Sequence, residues 1–364
     1  MRAPARRETN AAVSVLVKRL GIDLGTTTVR AHLRRQGLVV EEPDVVAFLR
    51  SERAVVALGR SAAELESRTL RPVGDPPAVP AGADGEGVEI VRPIRAPAID
   101  DLLVTAALVA HLVQGTIHRL HPLPPDVVVT LPATTSGVER RALTESAIAA
   151  GARRAWLIDG PIAAALGAGL AVAEPQGCAV CDLGGGTTEL AVLAASGTVT
   201  AETIEVAGSD LDAAIMRDLE RRRHLRVDAR AAEQLKREAG AALPLPDPLA
   251  AEVIGVDADT GAPRRDRISS DEISAALAPT LDRLAGRIRA ALDSIPHAVA
   301  GSIASTGLTL TGGGANLRAL DRHLEERVGR PVHVAPSPQT CAARGSVIAI
   351  DGFQVFRDKH LYLR

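Results

Sequence analysis

The chain has 364 residues, 42 of them basic and 44 acidic, for a formal net charge of −2. Hydrophobic residues make up 46% but aromatic ones only 1%, so its cores must be packed from Ala, Val, Leu and Ile, and stacking platforms for bases are nearly missing. These features exclude nucleic acid as a natural partner, no apolar run reaches the roughly 18 residues of a membrane-spanning helix, and the length predicts two domains.

In chain order, Arg2, Arg6 and Arg7 precede a short apolar stretch at residues 11–17, faintly like a secretion signal. Its brevity and the following Lys18-Arg19 favour a segment that leads straight into the first strand. Residues 20–33, LGIDLGTTTVRAHL, read as an apolar strand, Asp-Leu-Gly, a Gly/Thr-rich turn and an alternating strand. Further strands follow at 37–40 and 45–48, then a helix at 60–67. Residues 72–87 hold too many Pro and Gly for a regular element and read as a flexible loop. A helix at 100–120, a buried strand at 126–132, an amphipathic helix at 136–150, a strand at 155–158 and a small-residue helix at 161–170 continue an α/β alternation.

Residues 179–193, AVCDLGGGTTELAVL, repeat the first pattern. Cys178, Cys181 and Cys341 are the three cysteines, which fits a reducing compartment; the CxxC lies in or beside a strand without a second ligand pair nearby and reads as core thiols. Helices are expected at 208–223 and 231–242, and residues 243–268 read as Pro/Gly/Asp-rich with one short strand at 253–256. A capped helix at 270–293, a strand at 308–311, a Gly312-Gly313-Gly314 turn and a helix from 315 to about 328 come next. A strand at 332–334 and a helix from about 338 to 356 close the chain.

The two repeated turns carry the chemistry. Glycines let backbone N–H groups approach an anion closely, so Gly25, Thr26, Thr27 and Thr28, and Gly184, Gly185, Gly186 and Thr187, form candidate phosphate loops. Asp23 and Asp182 end the preceding strands and are the candidates to hold Mg²⁺, through waters because that ion dehydrates reluctantly. One such segment alone could equally be a plain hairpin with an Asx-turn; two related copies favour the phosphate reading. The third turn, Gly312-Gly313-Gly314 before a helix, also permits close backbone approach to a nucleotide. Glu233 and Lys236 lie three apart on one helix face and could contact a ribose or base, or form a solvated ion pair.

From about residue 20 to 352 the chain resembles the MreB/Mbl rod-shape proteins, bacterial members of the actin/Hsp70 superfamily. The resemblance rests on GIDLGTTT (21–28), EEPDVVAF (41–48), VERRALTESAIAAGAR (138–153), PIAAALGAGL (161–170), DLGGGTTELAVL (182–193), AEQLKREAG (232–240), LTGGGANLRALDRHL (310–324) and PQTCAARGSVIAI (338–350), all in order. It implies an α/β actin-like fold: two related lobes, each with a mixed sheet flanked by helices, and a nucleotide cleft between them. The expected division is 1–160 for the first lobe with a smaller insert at about 40–100, 161–335 for the second with a smaller subdomain at about 210–290, and 336–364 as a C-terminal helix returning to the first lobe. ATP and Mg²⁺ are the implied cofactors. Thr26, Thr27 and Thr28 then line the first phosphate loop and Gly184, Gly185 and Gly186 the second; Glu233, Gln234, Leu235 and Lys236 serve the ribose and base, Gly312, Gly313, Gly314 and Ala315 floor the nucleotide, and Thr187 helps position the attacking water.

One departure bears on mechanism. The family reads Glu-Glu-Pro before the small-residue helix, and the second Glu orients the hydrolytic water; here the sequence is Asp159-Gly160-Pro161. Loss of such help is worth about 10²–10⁴-fold, so the expectation is ATP binding with slow or absent hydrolysis. Asp159, one residue away, could stand in only with a shifted backbone, and the glycine could instead merely relax the turn. The resemblance further implies filaments of this chain or with an MreB paralogue, cell-wall synthesis and morphogenesis proteins as partners, and a cytoplasmic location with weak contact at the inner face of the membrane. The alternative is a non-filamentous ATPase or small-molecule phosphotransferase of the same superfamily; Hsp70 itself would need a substrate domain for which this chain has no room.

Overall fold

The computed structural model describes residues 17–49, 51–52, 54–69, 88–95, 98–116, 123–194 and 197–352. The N-terminal basic stretch before residue 17, the loop at 72–87 and the end of the last helix beyond 352 lie outside the described residues. Two compact units emerge: one runs to Gly167 and takes the chain back from Ala342, and the other is Ala168–Cys341.

The first unit opens with three antiparallel strands, β1 (Arg19–Leu24), β2 (Thr28–Leu33) and β3 (Gly37–Pro43). The chain then builds a small sheet from β4 (Val46–Leu49), β5 (Ala54–Leu58) and β6 (Glu89–Val91), with α1 (Arg60–Thr69) packed on it. A two-residue pair, β7 (Ile94–Arg95) and β8 (Ala98–Ile99), leads into α2 (Leu102–Thr116), whose Val104, Leu108, Leu112 and Thr116 recur at helical spacing and are buried. After β9 (Asp126–Leu131) come α3 (Gly137–Ala149), β10 (Arg154–Asp159) and α4 (Gly160–Gly167). α3 starts where Ser136 and Glu139 form a reciprocal capping box. The main sheet has the order β10-β9-β1-β2-β3, with β9 and β10 parallel to β1. Every residue of β9 is buried, as a parallel strand with covered faces requires.

The second unit repeats this plan. β11 (Cys178–Leu183), β12 (Thr188–Ala194) and β13 (Gly197–Ile204) are antiparallel, followed by α5 (Gly208–Arg223), β14 (Leu225–Arg226), α6 (Ala229–Ala239), β15 (Ala250–Asp257), β16 (Pro263–Ser269), α7 (Ser270–Asp293) and α8 (His297–Thr306). Then β17 (Leu308–Thr311), α9 (Leu320–Val328) and β18 (Val332–Val334) complete a main sheet of order β13-β12-β11-β17-β18, again with two parallel strands beside the first. α10 (Cys341–Asp351) lies on β1 of the first unit. Gly21 permits this: a Cβ there would collide with the Ser346 hydroxyl and sit 2.8 Å from the Ala343 carbonyl.

β13 was not anticipated, and three further stretches differ from expectation. β16, PRRDRIS, forms seven residues long where a loop was expected, because it is a charged edge strand that pairs with β15 and turns Ile268 into the core. α8 was not anticipated; it follows Pro296 and buries Val299 and Ile303, four apart. The helix expected from 315 starts only at Leu320: residues Gly313–Asn316 make a 3₁₀ turn, and Arg318 bridges to Ala241, its carbonyl accepting from the Ala242 amide at 2.8 Å. That extended bridge and Ala319 at φ +58° hold off the helix.

Candidate functional site

The two repeated turns are equal in length. In the first, Leu24 pairs with Val29 across residues 25–28; in the second, Leu183 pairs with Thr188 across 184–187. Asp23 thus matches Asp182, Gly25 matches Gly184 and Thr28 matches Thr187.

Each aspartate is held by a threonine from the adjoining parallel strand. Asp23 on β1 lies in register with Thr130 on β9, whose hydroxyl donates to Asp23 Oδ1 at 2.8 Å. Asp182 on β11 lies in register with Thr311 on β17, whose hydroxyl donates to Asp182 Oδ1 at 3.0 Å. Both threonines are buried, and a hydroxyl that donates into a carboxylate fixes its rotamer. Thr130 and Thr311 were missed in the sequence, where each is one more threonine at the end of an apolar strand. Burial pushes the Asp23 carboxyl up, against the opposing pull of Arg30 and of the Thr130 hydroxyl. A desolvated carboxyl of this kind is one that a divalent cation restores to its ionised form. Among the described residues no three His, Cys, Asp or Glu side chains gather into a cluster, so Mg²⁺ fits here as an ion that keeps its waters and leans on phosphate oxygens.

The second loop is fastened to a helix start. Its Gly184 amide bonds the Thr187 carbonyl at 2.9 Å, and the amides of Gly208 and Ser209, opening α5, donate to the carbonyls of Gly184 and Gly185 at 3.1 and 2.8 Å. Lys236 on α6 then clamps that first turn, donating to the Gly208 carbonyl at 2.9 Å and pairing with Asp212 at 2.7 Å. The ion pair weighed for Glu233 and Lys236 therefore does not form: Glu233 takes Arg237 at 2.6 Å, four residues on, while Lys236 reaches across to α5. Gln234 bonds Glu238 on the surface, and Leu235 is buried in the core.

The third glycine turn packs directly on the second hairpin. Gly312 has φ +80°, and a Cβ on it would collide with the Leu183 carbonyl and come within 2.7 Å of Asp182 Oδ1. Gly313, by contrast, has open space around its Cα, and Ala315 is buried beneath. Gly312 to Ala315, Asp182, the second loop and Lys236 thus belong to one region of the second unit, while Asp23 and residues 25–28 form the matching region of the first.

Asp159 and Gly160 lie at the end of β10 and the start of α4. The Asp159 carboxylate is engaged by buried Arg140 at 2.9 Å, and Arg140 also donates to the Thr135 carbonyl. This pairing binds α3 to β10. The CxxC thiols are buried and free, with Cys178 pushed up by burial to about 11.

The profile of the MreB/Mbl protein family matches residues 17–358. The chain is 38% identical over 337 residues to the cell shape-determining protein MreB of Escherichia coli K12, covering 91% of this chain and 93% of that protein. It is 31% identical over 332 residues to the cell shape-determining protein Mbl of Bacillus subtilis 168, covering 91% and 95%. Among solved structures it is similar to MreB5 of Spiroplasma citri bound to AMPPNP, at a TM-score of 0.79 and 26% identity over 94% of this chain and 99% of that one. A MamK double helical filament shares the fold at a TM-score of 0.71 and 19% identity, over 92% and 98%. The fold is actin-like.

Proposed function

Since this chain belongs to the MreB/Mbl family, we propose that it is an ATP-binding, actin-like cytoskeletal protein that forms filaments and helps organise cell-wall synthesis and cell shape. The observation that carries the nucleotide reading is the duplicated clasp, Asp23 with Thr130 and Asp182 with Thr311, each at the end of the strand that leads into a Gly/Thr-rich loop. Similarity to MreB5 bound to AMPPNP or ADP supports it, and the filament of MamK supports assembly.

In this reading residues 25–28 and 184–187 receive the phosphates on backbone amides and threonine hydroxyls. Asp23 and Asp182 would hold Mg²⁺ through water, and the ion would supply neutralisation of phosphate charge. Lys236 fixes the α5 turn behind the second loop, Glu233 to Lys236 contact ribose and base, and Gly312 to Ala315 lie beneath the nucleotide. Thr187 orients water, but Gly160 offers no side chain to polarise it and Asp159 is committed to Arg140. Hydrolysis is accordingly slow or absent while binding is kept.

The partners proposed are further copies of this chain or an MreB paralogue, and proteins of cell-wall synthesis and morphogenesis. The proposed location is the cytoplasm, with weak contact at the inner membrane face. No helix among the described residues is long and apolar enough to cross a membrane.

Sedimentation and negative-stain microscopy with and without MgATP test the reading. Polymers that pellet with ATP are expected. Soluble monomers that release ADP only when a small-molecule acceptor is added would instead make the chain a phosphotransferase.

A further inference from the structure

Asp44 is 1% exposed, yet no function above uses it. It stands where the chain leaves the main sheet of the first unit for the small one. Thr28 and Pro43 close the β2–β3 register, and the Asp44 amide extends that ladder by donating to the Thr27 carbonyl of the first phosphate loop at 3.0 Å. The Val45 amide turns back to the Pro43 carbonyl at 2.8 Å. The Asp44 carboxyl points the other way, with Oδ2 accepting from the Ile94 amide at 3.3 Å and Oδ1 buried without a hydrogen-bond partner.

We propose that Asp44 is a positioning residue of the first phosphate loop that carries a proton, and that nucleotide binding to the loop draws this proton onto its carboxyl. The proposal rests on the nucleotide reading above. A neutral acid leaves one buried oxygen unpaired, whereas an ionised one leaves a buried charge unpaired, which costs far more. Phosphates resting on residues 25–28 add like charge to the loop that the Asp44 amide holds and favour the neutral form of its carboxyl. Linkage then requires proton uptake on binding, and weaker binding as the proton is lost. The exchange falls at physiological pH, because burial pushes the carboxyl up to about 7 although the Ile94 amide and Arg92 pull it down. The other charges on elements packed about it are engaged elsewhere: Glu41 with Arg30, Glu42 with Arg60, Asp100 with Arg95, and Asp101 with the Val104 amide.

Calorimetric titration of the full chain with MgATP in Tris and in Hepes at pH 7.5 measures the proton directly. Uptake of about half a proton per nucleotide is expected in the unaltered chain. Asp44→Asn, which keeps the shape and cannot ionise, should lack that uptake; the ATP phosphates titrate alike in both proteins and cancel in the difference. Affinity in the unaltered chain should weaken about fivefold more than in the variant between pH 6.5 and 8.5. Equal uptake in both proteins, or none in the unaltered chain, overturns the proposal. No ATP binding in either protein overturns the nucleotide reading as well. Should Asp44→Asn fail to fold, infrared difference spectra of the unaltered chain decide: a protonated-carboxyl band gained on ATP binding supports the proposal, and its absence overturns it.

Discussion

Across the antiparallel ladder from Asp23 stands Arg30, itself paired with Glu41 at 3.0 Å, whereas across from Asp182 stands Glu189, nearly buried. Beyond the clasp the two units diverge again. Thr130 is followed by Leu131-Pro132-Ala133, with Leu131 in the core, while Thr311 is followed by Gly312-Gly313-Gly314 folded against the hairpin itself. The backbone plan and the threonine-held aspartate are common to both units, and the charge and bulk around them are not. The divergence gives the second unit a bare backbone turn beside its aspartate, where the first unit has the buried Leu131.

The sharpest way to break this comparison is at the residue after each threonine. Gly312→Ala forces a Cβ into the Leu183 carbonyl at a positive φ and should cost about 3 kcal/mol or more. Leu131→Ala at the matching place should cost about 2–4 kcal/mol through a cavity, with the hairpin backbone unmoved. Urea unfolding measures both, and nucleotide binding by the folded fraction should fail for the glycine variant alone.

Next in size is the acid peculiar to the first unit, Asp44. Burial pushes its carboxyl from the ordinary 3.8 up to about 7 in the folded protein, so its contribution is fully present below about pH 4 and is lost as pH rises through 7. The fall amounts to about 2–4 kcal/mol, and Asp44→Asn should abolish it, as thermal unfolding between pH 4 and 8 would record.

Thr130→Val and Thr311→Val remove one hydroxyl from each clasp without changing shape. Each should weaken MgATP binding about 10- to 100-fold, the usual loss for a group that orients a ligand to metal. A loss at one threonine only would contradict the equivalence of the two units. The smallest expected effect is Gly160→Glu, which restores a carboxylate beside Arg140-bound Asp159. It should raise phosphate release about tenfold, a partial recovery of general-base assistance.

Much of the architecture was legible in the chain, because its signals are local. The two Asp-Leu-Gly turns, the Ser136–Glu139 capping box and the periodicity of α2 each depend on residues within a few positions of one another. The clasps were not legible, since Thr130 and Thr311 meet their aspartates across 107 and 129 residues through parallel register. β16 was hidden by its charges, which suit an exposed edge as well as a loop. The partner of Lys236 was misread for a related reason: spacing on α6 pointed to Glu233, while tertiary packing supplied Asp212 from another helix.

The most direct single measurement is the nucleotide content of pelleted polymer after incubation of the full chain with MgATP. Polymer that retains ATP, with little ADP or free phosphate formed, is the result the proposed function predicts, since Gly160 brings no side chain to orient water. Polymer without nucleotide, or polymer filled with ADP at the pace of phosphate release, would contradict it.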